Sequence, residues 1–444
     1  MLASAGRFFA PALPFREEAF GGVAYDPARE EYFYLNRSMF ALLRFLDTHR
    51  VDESFAQKLP TEIRGSIEYS ESLKLIAKTD RPNQKLRGKL EHNDLTVLSS
   101  PTIVEIYPLF QCNERCQFCY VGEQVESPQH MHLSPSNIDE IAAKLRNWGV
   151  FNATILGGEP FLYKPLPLLI KSLAMHGLDI SLSSNGTVHR EEVFKAISES
   201  KAKLNIALHS HQSEVNDSIT RCVGSHRKLL VTIRTLMAAH FPVHITTVLH
   251  PSNIKDIADT ISFSADLGIK AMTLSYPQPA NYARRNGSLL SFSAYERAFR
   301  NAFNVGRNRG IRVQGSNHYN FLLNEYSSGF DTSNPIAPLF YGDKAGRSRL
   351  EMTPSCDLYP SSFVFGRADW MVGNLLSTPD LAYAWINSPI LKRIRNRRLP
   401  TECVQCEHKE ICGGGLIGLL VEQDRWDKPP SDCPVLAQNQ ALIP

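Results

Sequence analysis

The 444 residues are 43% hydrophobic and 21% charged, the composition of a folded globular protein with room for two or three domains. The 48 basic and 45 acidic side chains leave a net charge of +3, too little to mark a nucleic-acid partner. No run approaches the roughly 18 apolar residues that cross a bilayer, and the first residues (MLASAGRFFAPALPF) hold no signal-peptide core. Neither nucleic acid nor membrane is an expected partner.

Three regions separate along the chain. In residues 10–80, two β-rich runs (15–25 and 32–35) flank the polar turn 26–30 and predict a hairpin. Asn36 or Ser38 can cap the helix that follows, where Met39, Leu42, Leu43 and Leu46 recur on one face. Helical stretches are expected near 54–59 and 73–77. Residues 81–99 read as a linker. From 100 to 320, six strand-like runs (103–107, 153–156, 180–183, 204–208, 244–249 and 271–274) alternate with helical ones, which predicts a parallel sheet. Residues 341–444 have weak periodicity and hold most of the remaining cysteines, the look of a small metal-stapled domain.

Nine cysteines, an odd number grouped mostly at 112–119 and 403–412, predict metal ligands in a reducing, cytoplasmic setting rather than disulfides. Cys112, Cys116 and Cys119 have C-x3-C-x2-C spacing just after the first barrel strand. Three thiolates can hold three irons of a 4Fe–4S cluster and leave the fourth open; three structural or zinc-binding cysteines are the alternative. Gly157, Gly158, Glu159 and Pro160 follow the second strand, where glycines admit close backbone approach and Glu159 can accept from an ammonium group. Cys403, Cys406, Cys412 and Cys433 can together hold a second 4Fe–4S cluster or a zinc ion, and spacing alone does not choose.

The cysteine loop followed by the Gly-Gly-Glu-Pro turn resembles the radical S-adenosylmethionine (SAM) superfamily. That resemblance implies an α/β partial (β/α)6 TIM-like barrel whose vacant iron chelates SAM, with Tyr120, Gly157, Gly158, Glu159, Ser183, Asn185 and Arg221 at the SAM site. It also implies reductive cleavage of SAM, hydrogen abstraction by a 5′-deoxyadenosyl radical, and a reductant such as ferredoxin or flavodoxin. His209 stands where many relatives have Asp, and a buried core histidine is the competing reading.

The carboxy-terminal cysteines resemble the SPASM extension of peptide-modifying members, which carries two auxiliary clusters. On that alignment Asp343, Ser361 and Leu416 replace ligands of the inner cluster and Cys356 occupies a glycine position, so one auxiliary 4Fe–4S cluster is expected. Cys222 and Cys356 read as small buried hydrophobes. Sulfatase-maturing relatives have an acidic base where this chain has Ser362, which argues against that role. The first 80 residues resemble the winged-helix-like α+β peptide-recognition domain of ribosomal-peptide maturases, in which a leader peptide adds as a β-strand.

The expected activity is oxidative cross-linking of a ribosomally made precursor peptide with a leader, forming a thioether, C–C or C–O bond between side chains. Two alternatives remain: a redox-neutral epimerase or small-molecule enzyme on the same scaffold, and a non-enzymatic peptide binder with a structural metal site. For the catalytic base, His209, Asp357 and Tyr276 are candidates without geometry.

Overall fold

The computed structural model describes residues 8–79, 85–88, 90, 92–127, 131–316, 318–323, 339 and 342–441. The predicted linker positions 81–84, 89 and 91 lie outside the described residues.

Two small sheets build the amino-terminal domain. One is antiparallel, with β1 (Phe8–Pro11) between β5 (Val51–Asp52) and β6 (Ile76–Thr79). The other runs in the order β4 (Glu31–Asn36), β3 (Gly21–Asp26), β2 (Phe15–Glu18) and β7 (Leu86–Arg87). The β3–β4 turn forms because the Asp26 carboxylate accepts from Ala28 N at 2.9 Å, an Asx turn. Asn36 then caps the helix Arg37–Thr48 by accepting from Met39 N at 2.8 Å. That helix buries Phe40, Leu43 and Leu46. It lies so close to β3 that a Cβ on Gly22 would come 2.6 Å from the Phe40 ring.

The expected helix near 73–77 is not there. The helix spans Thr61–Ser72 instead, and the chain turns at Lys74 (φ 59°) into β6. The helix Thr61–Ser72 buries only Ile67 and Ser70, so its sequence carries little apolar periodicity.

All six predicted barrel strands form: β8 (Ile103–Ile106), β9 (Asn152–Ile155), β10 (Asp179–Ser184), β11 (Lys203–Ala207), β12 (Val243–Val248) and β13 (Ala271–Ser275). Each pairs in parallel with the next. The parallel sheet extends further at both sides, through β14 (Arg312–Ser316) beside β13 and β15 (Arg349–Met352) beside β8. Two antiparallel strands, β16 (Asp357–Tyr359) and β17 (Gly373–Asn374), complete one edge. The sheet order β14-β13-β12-β11-β10-β9-β8-β15-β16-β17 leaves β14 unpaired to β15, so the barrel stays open. Alternate residues such as Val104, Ile155, Leu182, Ile206, Ile245 and Leu274 are buried in one continuous core, while Asn205, Thr246, Thr273 and Gln314 line the space inside the barrel. Among the described residues no helix is long and apolar enough to cross a membrane.

The amino-terminal domain is fixed to the barrel through buried charge. Arg16, with no exposed surface, donates to Glu18 at 2.7 Å, to Gly149 O at 2.8 Å and to Ser100 O at 3.0 Å. Glu18 in turn accepts from Ser99 N at 2.7 Å. Tyr25 donates to Asp179 at 2.7 Å, and Lys203 bridges Asp179 and Glu30, each at 2.9 Å. Removing one partner of a buried pair strands the other charge in a medium that cannot solvate it. Arg16→Ala is therefore expected to lower unfolding free energy by about 3–5 kcal/mol, with Arg16→Lys intermediate because a point charge cannot reproduce the guanidinium fork. Urea denaturation of the three proteins checks this.

Candidate functional site

The carboxyl ends of β8 to β12 converge on a cavity of about 190 Å³. Cys112, Cys116, Cys119, Tyr120, Gly157, Gly158, Ser183, Asn185 and His209 are all in its wall. The cysteine loop is held from two sides. Arg115 N and Gln117 N donate to Thr220 O and Ile219 O, each at 3.0 Å. Asn113 joins it to the turn after β10, donating to Thr187 at 2.7 Å and accepting from Asn185 at 2.9 Å. The glycine turn fits beneath this loop only without side chains, since a Cβ on Gly158 would stand 2.3 Å from both Phe110 O and Gln111 O. Burial pushes the Cys112 thiol up to about 12 and the Cys119 thiol up to about 11. At neutral pH these sulfurs ionise only when a cation takes the proton's place.

Cys403, Cys406, Cys412 and Cys433 surround a second cavity, of about 320 Å³, with Tyr319, Phe321 and His408. Gly413, Gly414 and Gly415 have φ of 63°, 78° and 102°, a run of left-handed backbone that glycine alone tolerates well. It turns the Gly414 and Gly415 N–H groups toward Cys412, as Val435 and Leu436 are turned toward Cys433. His318 Nε2 lies 3.3 Å from the Cys412 sulfur.

Residues 106–264 match the family model of the radical SAM superfamily. These residues form a radical SAM domain. A protein named Probable GTP 3',8-cyclase from Metallosphaera sedula is 31% identical over 39% of this chain and 55% of its own length, so the chain matches about half of that relative. Mycofactocin maturase MftC from Mycobacterium ulcerans is 24% identical over 80% of this chain and 94% of its own. Among solved structures, Streptococcus suis SuiB bound to its precursor peptide SuiA superposes with a TM-score of 0.79, at 18% identity, over 96% of this chain and 99% of that one; this likeness shows the fold.

A radical SAM enzyme uses SAM and a 4Fe–4S cluster, and this donor set suits them. Three thiols in the cavity wall would leave one iron of a bound cluster without a protein ligand, and Ser183, Asn185 and His209 are polar groups of the same lining. Among the described residues no three His, Cys, Asp or Glu side chains converge as ligands of a single ion.

Two of the expected contacts have other partners. The carboxylate of Glu159 is wholly buried and accepts from Phe161 N, Ser184 Oγ and Asn185 N at 2.9, 2.8 and 2.8 Å. It holds the turn while Gly157 and Gly158 face the cavity. Arg221, left-handed at φ 52°, ends the helix Ser213–Thr220 outside the cavity wall and donates to Asn286 at 2.8 Å. The base candidates disperse as well. Asp357 accepts from Ser355 and Asn374 on β16, and Tyr276 donates to Leu290 O at 2.6 Å; neither lines the SAM cavity. His209 does line it, but Nδ1 accepts from Val248 N and burial pulls the imidazole down to about 3. It is a neutral donor through Nε2.

Cys356 sits buried at φ 68° in the β15–β16 turn, a left-handed position that explains why the alignment sets it against glycine. Cys222 follows Arg221 outside both cavities.

Sequence pattern gave no sign of a buried polar relay leading away from the SAM cavity. Tyr120 and Tyr107 hydroxyls are 3.2 Å apart, and Tyr107 donates to Glu351 at 3.0 Å. The same Glu351 oxygen accepts from Ser362 N at 2.9 Å. Arg349 binds Glu351 at 3.4 Å and Glu105 at 3.3 Å, with Asp343 at 4.0 Å. Burial, then the Glu105 charge, pushes Glu351 up to about 7 against the pull of Arg349. Tyr282, which donates to Glu126 at 2.8 Å, closes another side of the cavity. The only signal for Glu351 was a charged residue alternating with apolar ones between Arg349 and Met352.

Replacing Cys112, Cys116 and Cys119 together by Ala is expected to halve bound iron, from about eight to about four atoms per protein, and to abolish anaerobic SAM cleavage. Replacing Cys403, Cys406 and Cys412 should remove the other half. Iron, sulfide and zinc analysis of the reconstituted proteins checks both.

Proposed function

We propose that this radical SAM enzyme modifies a ribosomally made precursor peptide, removing two hydrogens to form a thioether, C–C or C–O bond between side chains. The observation that carries the reading is the presence in one polypeptide of the SAM cavity, a second four-thiol cavity and a β-sheet edge suited to a peptide. That edge is β4, the terminal strand of its sheet among the described residues, with the half-exposed pattern of a strand that meets solvent or a partner. A leader adding there would gain main-chain hydrogen bonds without reshaping the domain. The likeness to mycofactocin maturase MftC and to SuiB, the latter crystallised with a precursor peptide, supports the same reading.

Cys112, Cys116 and Cys119 would hold the SAM cluster, and Cys403, Cys406, Cys412 and Cys433 the auxiliary one. When bound, SAM with its cluster supplies the radical that takes one hydrogen atom, and the auxiliary cluster supplies an acceptor for one electron. The protein's own task is to place the peptide, exclude water and receive the remaining proton. Glu351 is the acceptor we assign, reached from the cavity through Tyr120 and Tyr107. With its carboxyl near pH 7, it is poised to take up a proton at neutral pH. His209, Asn185 and Ser183 orient the bound nucleoside. A ferredoxin or flavodoxin would deliver electrons in the cytoplasm.

Anaerobic co-expression with a small peptide encoded beside this gene, followed by mass spectrometry, tests the reading. Loss of about 2 Da per bond is expected; an unchanged mass with deuterium uptake would turn the assignment to epimerisation. Glu351→Gln should lower peptide oxidation by about 10²-fold while SAM cleavage persists. Because Glu351 must be ionised to accept a proton, the wild-type rate should rise as pH increases through about 7, and the Gln variant should lose that rise.

A further inference from the structure

Beneath the SAM cavity the barrel interior holds a much larger space, of about 1420 Å³, that extends to the amino-terminal ends of β11, β12, β13 and β14. Thr246 lines both cavities and so marks where the two approach each other. Its lower rim includes residues 28–31, the tip of the β3–β4 turn. The mouth of the barrel therefore opens where β4 begins.

The lining is strongly biased in charge. Six basic residues face this space against two acidic ones, Glu30 and Glu31. Glu30 is already taken by Lys203. Among the described residues no hydrogen bond or ion pair holds the side-chain nitrogens of Lys270, Arg312 or Lys344. All three are solvent-accessible, yet open to the interior of the barrel. Cations without a carboxylate partner gain more from an incoming one than cations already paired do. His244, which shares Thr273 with Gln314 at 2.7 and 3.0 Å, is held neutral by burial and the nearby Arg312 charge. Phe241 is the single aromatic residue of the lining, so there is no stack of rings of the kind that single-stranded nucleic acid uses.

We propose that the core of the precursor enters the barrel from this pole, as an extended segment whose aspartate or glutamate side chains pair with Lys270, Arg312 and Lys344. The inference rests on the peptide reading above and adds the path and the charge of the substrate. A leader on β4 would deliver the following residues to the rim at 28–31. The six residues of β12 correspond to a crossing of about 20 Å, or about six extended peptide residues. Thr246 marks where that segment meets the SAM cavity.

The test uses the anaerobically reconstituted full-length protein and three fluorescein-labelled decapeptides: alternating Glu-Ser, Gln-Ser and Lys-Ser. Anisotropy should show the acidic peptide binding at least about tenfold more tightly than the other two, with affinity falling as salt rises. The triple variant K270Q/R312Q/K344Q should lose that preference about tenfold while still binding SAM. The charge-reversed pair K270E/R312E should come to favour the Lys-Ser peptide. K171Q/K195Q/K392Q, away from this channel, should bind as wild type. If the three peptides bind alike, or the triple variant keeps the preference, the charged passage is wrong and the peptide reading stands. If none binds while SAM does, the charged passage is wrong as well, and the co-expressed peptide's mass decides the peptide reading separately.

Discussion

A single guanidinium joins the catalytic barrel to the carboxy-terminal region. Arg349 stands among Glu105 of β8, Glu351 of its own strand and Asp343 of the preceding loop. Asp343 also accepts from Ile417 N at 2.6 Å, which sets the start of the helix leading away from the cysteine-rich turn. Three carboxylates around one cation would be over-charged in a buried setting. The raised affinity of Glu351 for a proton relieves that imbalance without removing any member. The positions aligned with missing cluster ligands thus remain neighbours: Asp343 binds Ile417, and Ser361 packs against Gly418, where a Cβ would come 2.3 Å from its Oγ. Hydrogen bonding and close packing hold together what thiolates would otherwise cross-link.

Local chemistry was the legible part of the sequence. Cysteine spacing, the glycine turn after β9 and the alternation of apolar runs each depend on residues within a few positions of one another. These features located six strands and the cysteines of both cavities. Contacts between distant segments were not legible. β14 and β15 are ordinary short runs whose parallel partners are set by the closing of the sheet. Glu351 gains its character from burial beside Glu105 of the sequence-distant β8. Glu159 reads like a ligand because the turn is exposed in the sequence pattern, yet its donors come from its own turn and from β10. The helix Thr61–Ser72 escaped because most of its face meets water, so no apolar period marks it.

The two cysteine cavities differ in how their sulfurs are prepared. In the SAM loop the thiols are raised chiefly by burial, and Glu114 lies 3.6 Å from Cys116 with its own carboxyl pushed up to about 8. Around Cys412 and Cys433 two backbone N–H groups each oppose burial, against one each at Cys112 and Cys119. N–H donation to sulfur stabilises negative charge and so biases a cluster toward reduction. The same side chain, cysteine, is therefore placed in two electrostatic settings by loop geometry alone.

The amino-terminal domain is not a swinging arm. Arg16 and Arg87 fasten it to neighbouring Gly149 and Val150, Tyr25 fastens it to Asp179, and Lys203 of β11 reaches back to Pro27 O, with Arg87 donating to Val150 O at 2.8 Å and also to Gly177 O. The distance from the edge of β4 to the cysteine loop is accordingly a constant of the fold. An extended polypeptide advances about 3.3 Å per residue. A peptide gripped at the edge would then be measured as against a ruler, its reacting residue chosen by count from the leader as well as by chemistry.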